Sequence, residues 1–329
     1  MANCHDLFLE FYDKIVLSEA KKESLRKARE AIRDRIKKKF IATGKTPVPE
    51  FRDQGSYAIH TIINPIGGEY DIDDGVYLQN LDKTDNKNWP TPETVHQWVY
   101  DAVDGHTDQK PIDKRTCVRV VYAGQYHVDL PIYALLRGDN LHAEKGKKGW
   151  NPSNPQAVTD WFQTAIKQRG DQLRHMVRYF KAWADYNSKD GKLPSGFIFT
   201  VLIVEKFVAS ERDDVCFGQL ARALHSRMLS SPYVYNPVDP SEDLHQRYDD
   251  EEKKRFLHLL RRLQVAASNA LTTEGKKDAC KCWWTAEGSV REFRNQSLIV
   301  VIGNICDPPY FPAKNPKRTA ANPNIPCNS

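Results

Sequence analysis

The hydrophobic positions divide the chain into a first part with helical and strand-like periods and a second part with helical periods alone. In the first part, apolar spacings of three or four predict helices at 1–17 and 18–40, and a further helix that starts within 89–93 and packs through Val95, Trp98, Val99 and Val103. Alternating β-branched and aromatic residues predict strands at 70–77, 116–123 and 126–136. In the second part, apolar stripes predict helices at 155–168, 172–186, 193–207, 220–229 and 253–271. Together these patterns predict an α+β fold, in which a mixed sheet with helices precedes a helical lobe.

A polar segment rich in glycine and lysine, residues 138–154, separates the two parts. From residue 308 onward the chain carries six prolines and almost no apolar periodicity. We therefore predict a first lobe at 1–150, a helical lobe at 151–307 and an extended, Pro-rich tail at 308–329.

The charge is concentrated in one segment. The 329 residues carry a net charge of +5, and the stretch from Lys21 to Phe40 alone holds ten Lys or Arg against three Asp or Glu. This predicts either a solvated outer helix face or a patch for RNA, DNA or an acidic partner. No run approaches the ~20 apolar residues that cross a bilayer, and seven irregularly spaced cysteines indicate no disulfide framework. We expect a cytoplasmic protein without a membrane partner.

The predicted strand at 70–77 carries two aspartates, Asp71 and Asp73. Side chains alternate along a strand, so both point to one face, with their Cα atoms roughly 6–7 Å apart. Two carboxylates at this spacing repel each other unless a cation lies between them, and hard oxygen ligands suit Mg²⁺ or Mn²⁺. Asp74 falls on the opposite face, so we expect it outside the site.

Two further features extend this candidate metal site. Upstream, Gly55-Ser56 precedes a short predicted helix at 57–62; glycine lets a ligand approach the backbone, and a helix N-terminus offers N–H groups to a phosphate. Downstream, Asp129 lies on the predicted strand at 126–136. On its own Asp129 fits a surface position, but its place behind the aspartate pair makes it a candidate third ligand. A phosphate cradle followed by paired carboxylates is typical of metal-assisted nucleotidyl transfer.

The string Asp71-Ile72-Asp73-Asp74-Gly75-Val76-Tyr77, placed after Gly55-Ser56, closely resembles the bacterial cGAS/DncV-like nucleotidyltransferases of the DNA polymerase β-like superfamily. That family makes cyclic nucleotide signals in anti-phage defence. The resemblance implies two lobes bridged by a long N-terminal spine helix. It also implies two Mg²⁺ (or Mn²⁺) ions per site, and catalytic, metal-binding roles for Asp71, Asp73 and Asp129. The nucleotide and its phosphates are expected to contact Gln54, Gly55, Ser56, Lys181 and Ser195.

The resemblance further implies ATP and GTP as substrates and a purine cyclic dinucleotide, such as cyclic GMP-AMP, as product, with release of pyrophosphate. A ubiquitin-conjugation-like operon partner is expected at the tail in such systems through a terminal glycine, whereas this sequence closes with Cys327-Asn328-Ser329. Nucleic acid is neither required nor excluded. Two alternatives stay open: a linear oligoadenylate or RNA-end nucleotidyltransferase, and a catalytically silent nucleotide-binding scaffold. The intact aspartates argue against the scaffold.

Overall fold

The computed structural model describes residues 2–45, 47–65, 70–81, 88–123, 126–136, 140–146, 149–188 and 191–284. Within them the chain combines one mixed sheet with helices and a second, mostly helical part, which confirms the predicted α+β class. The predicted tail at 308–329, with Cys327, lies outside the described residues. No helix in the described ranges has the length and apolar content that a bilayer crossing requires.

Most of the helices follow the predicted periods. The helices are α1 His5–Ile15, α2 Glu19–Ala42, α3 Gly55–Ala58, α4 Pro92–Val103, α5 Pro155–Arg169, α6 Gln172–Asn187, α7 Gly196–Lys206, α8 Asp213–Ser230, α9 Asp250–Thr272 and α10 Lys276–Trp284. However, α8 begins earlier than predicted and α10 was not predicted. Local chemistry sets several of their starts. Ser18 caps α2 by accepting a hydrogen bond from the Lys21 amide, and Asp249 forms a capping box with Glu252 at α9.

The strands form a main sheet of eight and a small sheet of two. They are β1 Glu50–Gln54, β2 Tyr70–Leu78, β3 Ile112–Asp113, β4 Val118–Tyr122, β5 Tyr126–Leu130, β6 Ile132–Ala134, β7 Leu141–Ala143, β8 Trp150–Pro152, β9 Tyr235–Asn236 and β10 Asp239–Asp243. The predicted strand at 126–136 is divided at Pro131, which has no N–H to donate. The hairpin β9–β10 interrupts the helical second part, which the apolar periods did not predict.

Strand β2 lies at the centre of the main sheet. It pairs antiparallel with β1, and in parallel with β5 along its first half and β6 along its second half. The remaining order runs β3-β4-β5-β2-β6-β7-β8. Every chain segment that contributes to the sheet is thus connected to β2 directly or through one or two neighbours.

The described residues form two separate hydrophobic cores. One consists of the inner sheet face with α2 and α4, and it buries the predicted α2 stripe of Leu25, Ala28, Ile32, Ile36 and Phe40. The other joins α6 to α10, and it also takes in Phe8 and Phe11 of α1. The N-terminal segment therefore links the two cores, since α1 packs in the second and α2 in the first.

The predicted domain limits need one correction. The segment 138–154 was predicted as a polar loop, yet β7 and β8 lie within it and extend the sheet. The predicted boundary between residues 150 and 151 falls inside β8, where backbone pairing continues to Pro152. The short strands escaped detection because each contributes only three residues, too few for a visible alternation.

A buried ionic network joins α2 to the sheet. Arg33 donates to both oxygens of Asp74 (2.6 and 2.8 Å), whose side chain is fully buried, and also to Asp53 (2.7 Å). Arg29 donates to both oxygens of Asp53 at 2.7 Å. Burial raises the pKa of Asp74 to about 6, although Arg33 acts in the opposite direction. Asp74 therefore serves the packing of α2 on the sheet, on the face away from Asp71 and Asp73.

We expect the substitution Arg33→Met to lower the free energy of unfolding by about 3–5 kcal/mol, because it leaves the buried Asp74 carboxylate without its cation. Urea denaturation at pH 7 measures this loss. Arg26→Met is the matched control, since Arg26 lies on the same helix and pairs with Glu23 in solvent. That change is expected to leave the free energy of unfolding nearly unchanged, because solvent screens an exposed ion pair. Equal losses in the two variants would show that the buried pair is not what holds α2.

Candidate active site

The register between β2 and β5 assembles the acidic residues. The two strands run parallel, with Asp71 opposite His127 and Asp73 opposite Asp129. Paired residues of neighbouring strands project to the same face of a sheet, and alternate residues of one strand share that face. All four side chains therefore point to one side of the sheet, while Ile72 points into the core beneath them.

The donor atoms of three of these residues lie close together. One ligand atom each from Asp71, His127 and Asp129 lies within 4.8 Å of the other two. The Asp71 carboxylate is 3.8 Å from His127 Nε2, and its side chain is 46 % exposed. Burial opposes the ionisation of Asp71, but His127 and then Lys181 lower its pKa overall. Asp71 is thus ready as an anionic ligand.

A second set of charges surrounds Asp129. Arg119, its neighbour on the antiparallel strand β4, donates from Nε and Nη2 to the two Asp129 oxygens at 2.6 and 2.7 Å. The Lys114 ammonium is 3.6 Å from the same carboxylate. These cations compensate the Asp129 charge, so a bound metal ion would share this carboxylate with Arg119.

Asp73 carries the largest electrostatic cost of the group. Burial, with the nearby charges of Asp71 and Asp129, raises the pKa of Asp73 to about 7. Its carboxylate faces the Gly55 backbone so closely that a Cβ atom on Gly55 would lie 2.2 Å from Asp73 Oδ2. Gly55 also has a φ of +58°, a conformation that glycine adopts without strain. The Gly55 position therefore needs glycine for two independent reasons.

The helix at Gly55 differs from the predicted one. It begins at Gly55 and ends at Ala58, rather than spanning 57–62. Ser56 follows Gly55 within its single turn, and both residues line the cavity described below. The backbone of this turn at Gly55 lies directly against the Asp73 carboxylate.

Gln54 has a supporting position. Its side chain is buried, donates to the Tyr77 hydroxyl (2.9 Å) and accepts from the Tyr133 hydroxyl (3.1 Å). A Cβ atom on Gly75 would lie 2.1 Å from Gln54 Nε2, so Gly75 leaves the space that this side chain occupies. Gln54 lines the cavity described below while its amide is hydrogen-bonded to two tyrosines, and its contact with the nucleotide stays a prediction.

The helical part of the chain brings two further predicted residues to the site. Lys181 of α6 donates to the Thr61 carbonyl at 3.0 Å, and burial lowers its pKa to about 8. Ser195 precedes α7, and its hydroxyl accepts a hydrogen bond from Arg247 at 2.9 Å. A lysine and a serine at a helix start are groups that bind phosphate oxygens.

A cavity of about 840 Å³ connects these groups. Its wall includes Gly55, Ser56, Asp71, Asp73, Lys181 and Ser195, and the β9–β10 hairpin closes another side through Asn236 and Glu242. The volume lies toward the upper end of the roughly 300–1,000 Å³ that is typical of ligand sites. The cavity joins an acidic wall to a wall with phosphate-binding character.

The donor set fits a divalent cation. Carboxylates of Asp71 and Asp129 with the His127 imidazole lie within 4.8 Å, and Asp73 adds a further carboxylate to the same face. Mg²⁺ and Mn²⁺ prefer such oxygen-rich sets, and Mn²⁺ also accepts imidazole nitrogen. Burial, followed by the charges of Asp71 and Asp129, raises the pKa of Asp73, and a cation bound at this face would favour its ionised form.

Comparisons with known proteins decide the family. Residues 49–133 match the family model described as cyclic GMP-AMP synthase DncV-like, nucleotidyltransferase domain. A cyclic GMP-AMP synthase from Escherichia albertii is 30 % identical over 277 residues, covering 76 % of this chain and 59 % of that protein. The crystal structure of the Vibrio cholerae DncV cyclic AMP-GMP synthase superimposes with a TM-score of 0.71 at 21 % identity, covering 85 % of this chain and 94 % of that one.

The chain belongs to the cGAS/DncV-like nucleotidyltransferases. The family expected from the Gly55–Tyr77 motifs is thereby confirmed. The matched segment 49–133 runs from the start of β1 to β6 and contains all three aspartates. The chain spans about three-fifths of the length of its E. albertii relative.

Sequence reasoning missed three residues near the site. The sequence patterns do not indicate His127 or Arg119 as part of the site, and they do not connect Arg247 to Ser195. The first two follow from strand register, because His127 lies opposite Asp71 and Arg119 opposite Asp129. Arg247 has no signal in the sequence, since 52 residues separate it from its partner.

We expect Asp73→Asn to stabilise the metal-free protein in a pH-dependent way. The pKa of the Asp73 carboxyl is raised from 3.8 to about 7. This group therefore destabilises the folded protein progressively as the pH rises between those values. In the presence of a metal chelator, the free energy of unfolding of the variant should exceed that of the wild type by about 1–3 kcal/mol at pH 8. Near pH 4 the difference between variant and wild type should be smaller. Urea titrations across this range measure the gain. Asp160→Asn, at an exposed site on α5, is the control, and a gain that does not vary with pH would contradict the prediction.

Proposed function

We propose that this protein joins two purine nucleoside triphosphates into a cyclic dinucleotide, such as cyclic GMP-AMP, and releases pyrophosphate. The observation that carries the proposal is the parallel register of β2 and β5, which gathers Asp71, Asp73 and Asp129 beside the Gly55-Ser56 turn in a chain of this family. ATP and GTP are the proposed substrates, and anti-phage signalling in the cytoplasm is the proposed setting.

The relatives support this product class. The E. albertii and V. cholerae relatives are named cyclic GMP-AMP synthases, and a DncV structure holds the linear intermediate 5′ pppA(3′,5′)pG. An Acinetobacter relative, 24 % identical over 243 residues, is named a cyclic AMP-AMP-AMP synthase. Product identity thus varies among the relatives, so the bases have to be measured for this chain.

The proposed mechanism assigns a task to each wall of the cavity. Backbone amides of Gly55 and Ser56, the Ser195 hydroxyl and the Lys181 ammonium bind the donor triphosphate, which fixes the α-phosphorus in front of the acidic face. An acceptor ribose hydroxyl attacks in line, a P–O bond forms, and the bond to pyrophosphate breaks. A second attack within the same site closes the ring after the linear product has turned around.

The acidic face neutralises and orients charge. Asp71, Asp73 and Asp129 would hold two Mg²⁺ (or Mn²⁺) ions, which neutralise phosphate charge and lower the pKa of the attacking hydroxyl. Bound cations would favour the ionised form of Asp73, against the burial and the charges of Asp71 and Asp129 that raise its pKa. Arg119 keeps Asp129 in place from the opposite side.

Metal binding should be visible without turnover. At pH 8 we expect Mn²⁺ at millimolar concentration to raise the melting temperature of the wild type by about 4–8 °C, since a ligand at about 100 times its Kd contributes about 2.7 kcal/mol. Asp71→Asn and Asp129→Asn should lose most of this shift, and Asp160→Asn should retain it. Differential scanning fluorimetry measures it, and an equal shift in all four proteins would place the Mn²⁺ elsewhere.

The activity is tested by incubating the protein with the four labelled nucleoside triphosphates and Mg²⁺ or Mn²⁺, followed by phosphatase treatment and mass detection. We expect a phosphatase-resistant product from the wild type and from Asp160→Asn, and a loss of at least about 10³-fold in Asp71→Asn. Circular dichroism should show that Asp71→Asn stays folded. A ladder of linear products that requires added RNA would indicate the RNA-end alternative. Nucleotide binding without any turnover would indicate a scaffold.

A further inference from the structure

Three cationic side chains on one face of α6 hold three successive carbonyl groups of the segment that follows α3. Their spacing of four and three residues places them in a row on the helix. The hydrogen bonds are Arg174 Nε to Ile59 O (3.4 Å), Arg178 Nη2 to His60 O (2.5 Å) and Lys181 Nζ to Thr61 O (3.0 Å). Side chains of α6 thus bind residues 59–61 through hydrogen bonds to their backbone carbonyls.

This segment is continuous with the turn that faces Asp73. The Ile59 amide donates to the Gly55 carbonyl (3.3 Å), and the Thr61 amide donates to the Ser56 carbonyl (2.8 Å). Ile59 and Thr61 also line the cavity. A displacement of residues 59–61 would therefore move the Gly55-Ser56 backbone with it.

The middle residue of the segment is strained. His60 has a φ of +56°, in the left-handed region that residues with a Cβ atom adopt at a cost. Its side chain is exposed, so packing of the imidazole does not hold this conformation. The hydrogen bond from Arg178 to the His60 carbonyl is a contact that does.

Arg178 is engaged with neutral groups. It is buried, with 8 % of its surface exposed, and its guanidinium donates to the His60 carbonyl and to the Tyr12 hydroxyl of α1. In the ranges that the structure describes, no carboxylate lies within salt-bridge distance of it. Of the two residues Lys181 and Arg178, only the former lines the cavity. Arg178 therefore contacts the segment 59–61 without itself lining the cavity.

We propose that Arg178 is a positioning residue for the nucleotide phosphates: it holds His60 in its left-handed conformation and so fixes the Gly55-Ser56 turn. The role in phosphate binding rests on the proposed function, whereas the hold on residues 55–61 does not. Arg178 tethers both α1 and the segment to α6, so the phosphate side of the cavity forms only where the second core is intact.

The hold on the segment is tested on the full chain without nucleotide or metal. We expect Arg178→Met to speed amide hydrogen exchange in peptides covering residues 55–61 by at least about tenfold. Arg169→Met is the matched control, because Arg169 donates to a backbone carbonyl, that of Val204, away from the segment. If Arg178→Met and Arg169→Met exchange equally at residues 55–61, the proposal is wrong.

A double-mutant cycle tests the strain. Glycine adopts the left-handed conformation freely, so His60→Gly should reduce the need for Arg178. Arg178→Met is expected to lower the protection of residues 55–61 against hydrogen exchange. We expect the double variant, which also carries His60→Gly, to recover at least half of this loss on a logarithmic scale. Simple additivity of the two substitutions would contradict the role assigned to His60.

Kinetics test the phosphate role. We expect Arg178→Met to raise KM for ATP and GTP about tenfold with kcat within about threefold, and Arg169→Met to change neither. Arg178→Lys should retain most of the rise in KM, because one ammonium cannot reach both acceptors as the guanidinium does. If Arg178→Lys restored the wild-type KM, the positive charge alone would account for the effect of Arg178, and the proposal would be wrong. If the wild type neither turns over nor binds the nucleotides, the proposed function and the phosphate role fall together, while the exchange data still decide whether Arg178 holds the segment.

Discussion

The parallel pairing of β2 with β5 is the interaction on which the site depends. Backbone hydrogen bonds fix the register, and the register alone brings Asp71 and Asp73 beside His127 and Asp129. Because side chains alternate at every residue, a slip of one position would send half of this group into the hydrophobic core. The pairing with β1 on the other side of β2 adds the second requirement, since it delivers the Gly55 turn to Asp73.

Placing several carboxylates together creates a demand for positive charge, and the protein meets it differently at each position. Asp74, fully buried, has a permanent partner in Arg33. Asp129 has Arg119 on the neighbouring strand. Among the described residues Asp73 has no salt-bridge partner, and burial with the charges of Asp71 and Asp129 raises its pKa to about 7. The residue with the least compensation is thus the one that faces the Gly55-Ser56 turn.

The sequence predicted most of the helices and the α+β class, because periodicity is a local signal. Short motifs also indicated Asp71, Asp73 and Asp129, which the strand register brings together, and their catalytic roles stay a prediction. The sequence did not predict partners that depend on register. With a turn at Gly124-Gln125, which lies outside the described residues, a two-residue hairpin would put Val120 opposite Asp129, whereas the observed pairing puts Arg119 there. The roles of Gln54 and Arg33 depend on side chains brought together over 20 to 80 residues. The assignments of Lys181 and Ser195 came from family resemblance, and their binding role stays a prediction.

The hydrogen bond between Lys181 and Thr61 joins residues 120 positions apart in the chain. Contacts of such long range form late in folding, since the loop between them must close first. The carboxylates, by contrast, come from strands that pair within the sheet itself. During synthesis the acidic face can therefore form before α6 has emerged, while the wall that would hold a triphosphate cannot. A chain that ends before α6 would carry the acidic face but would lack Lys181.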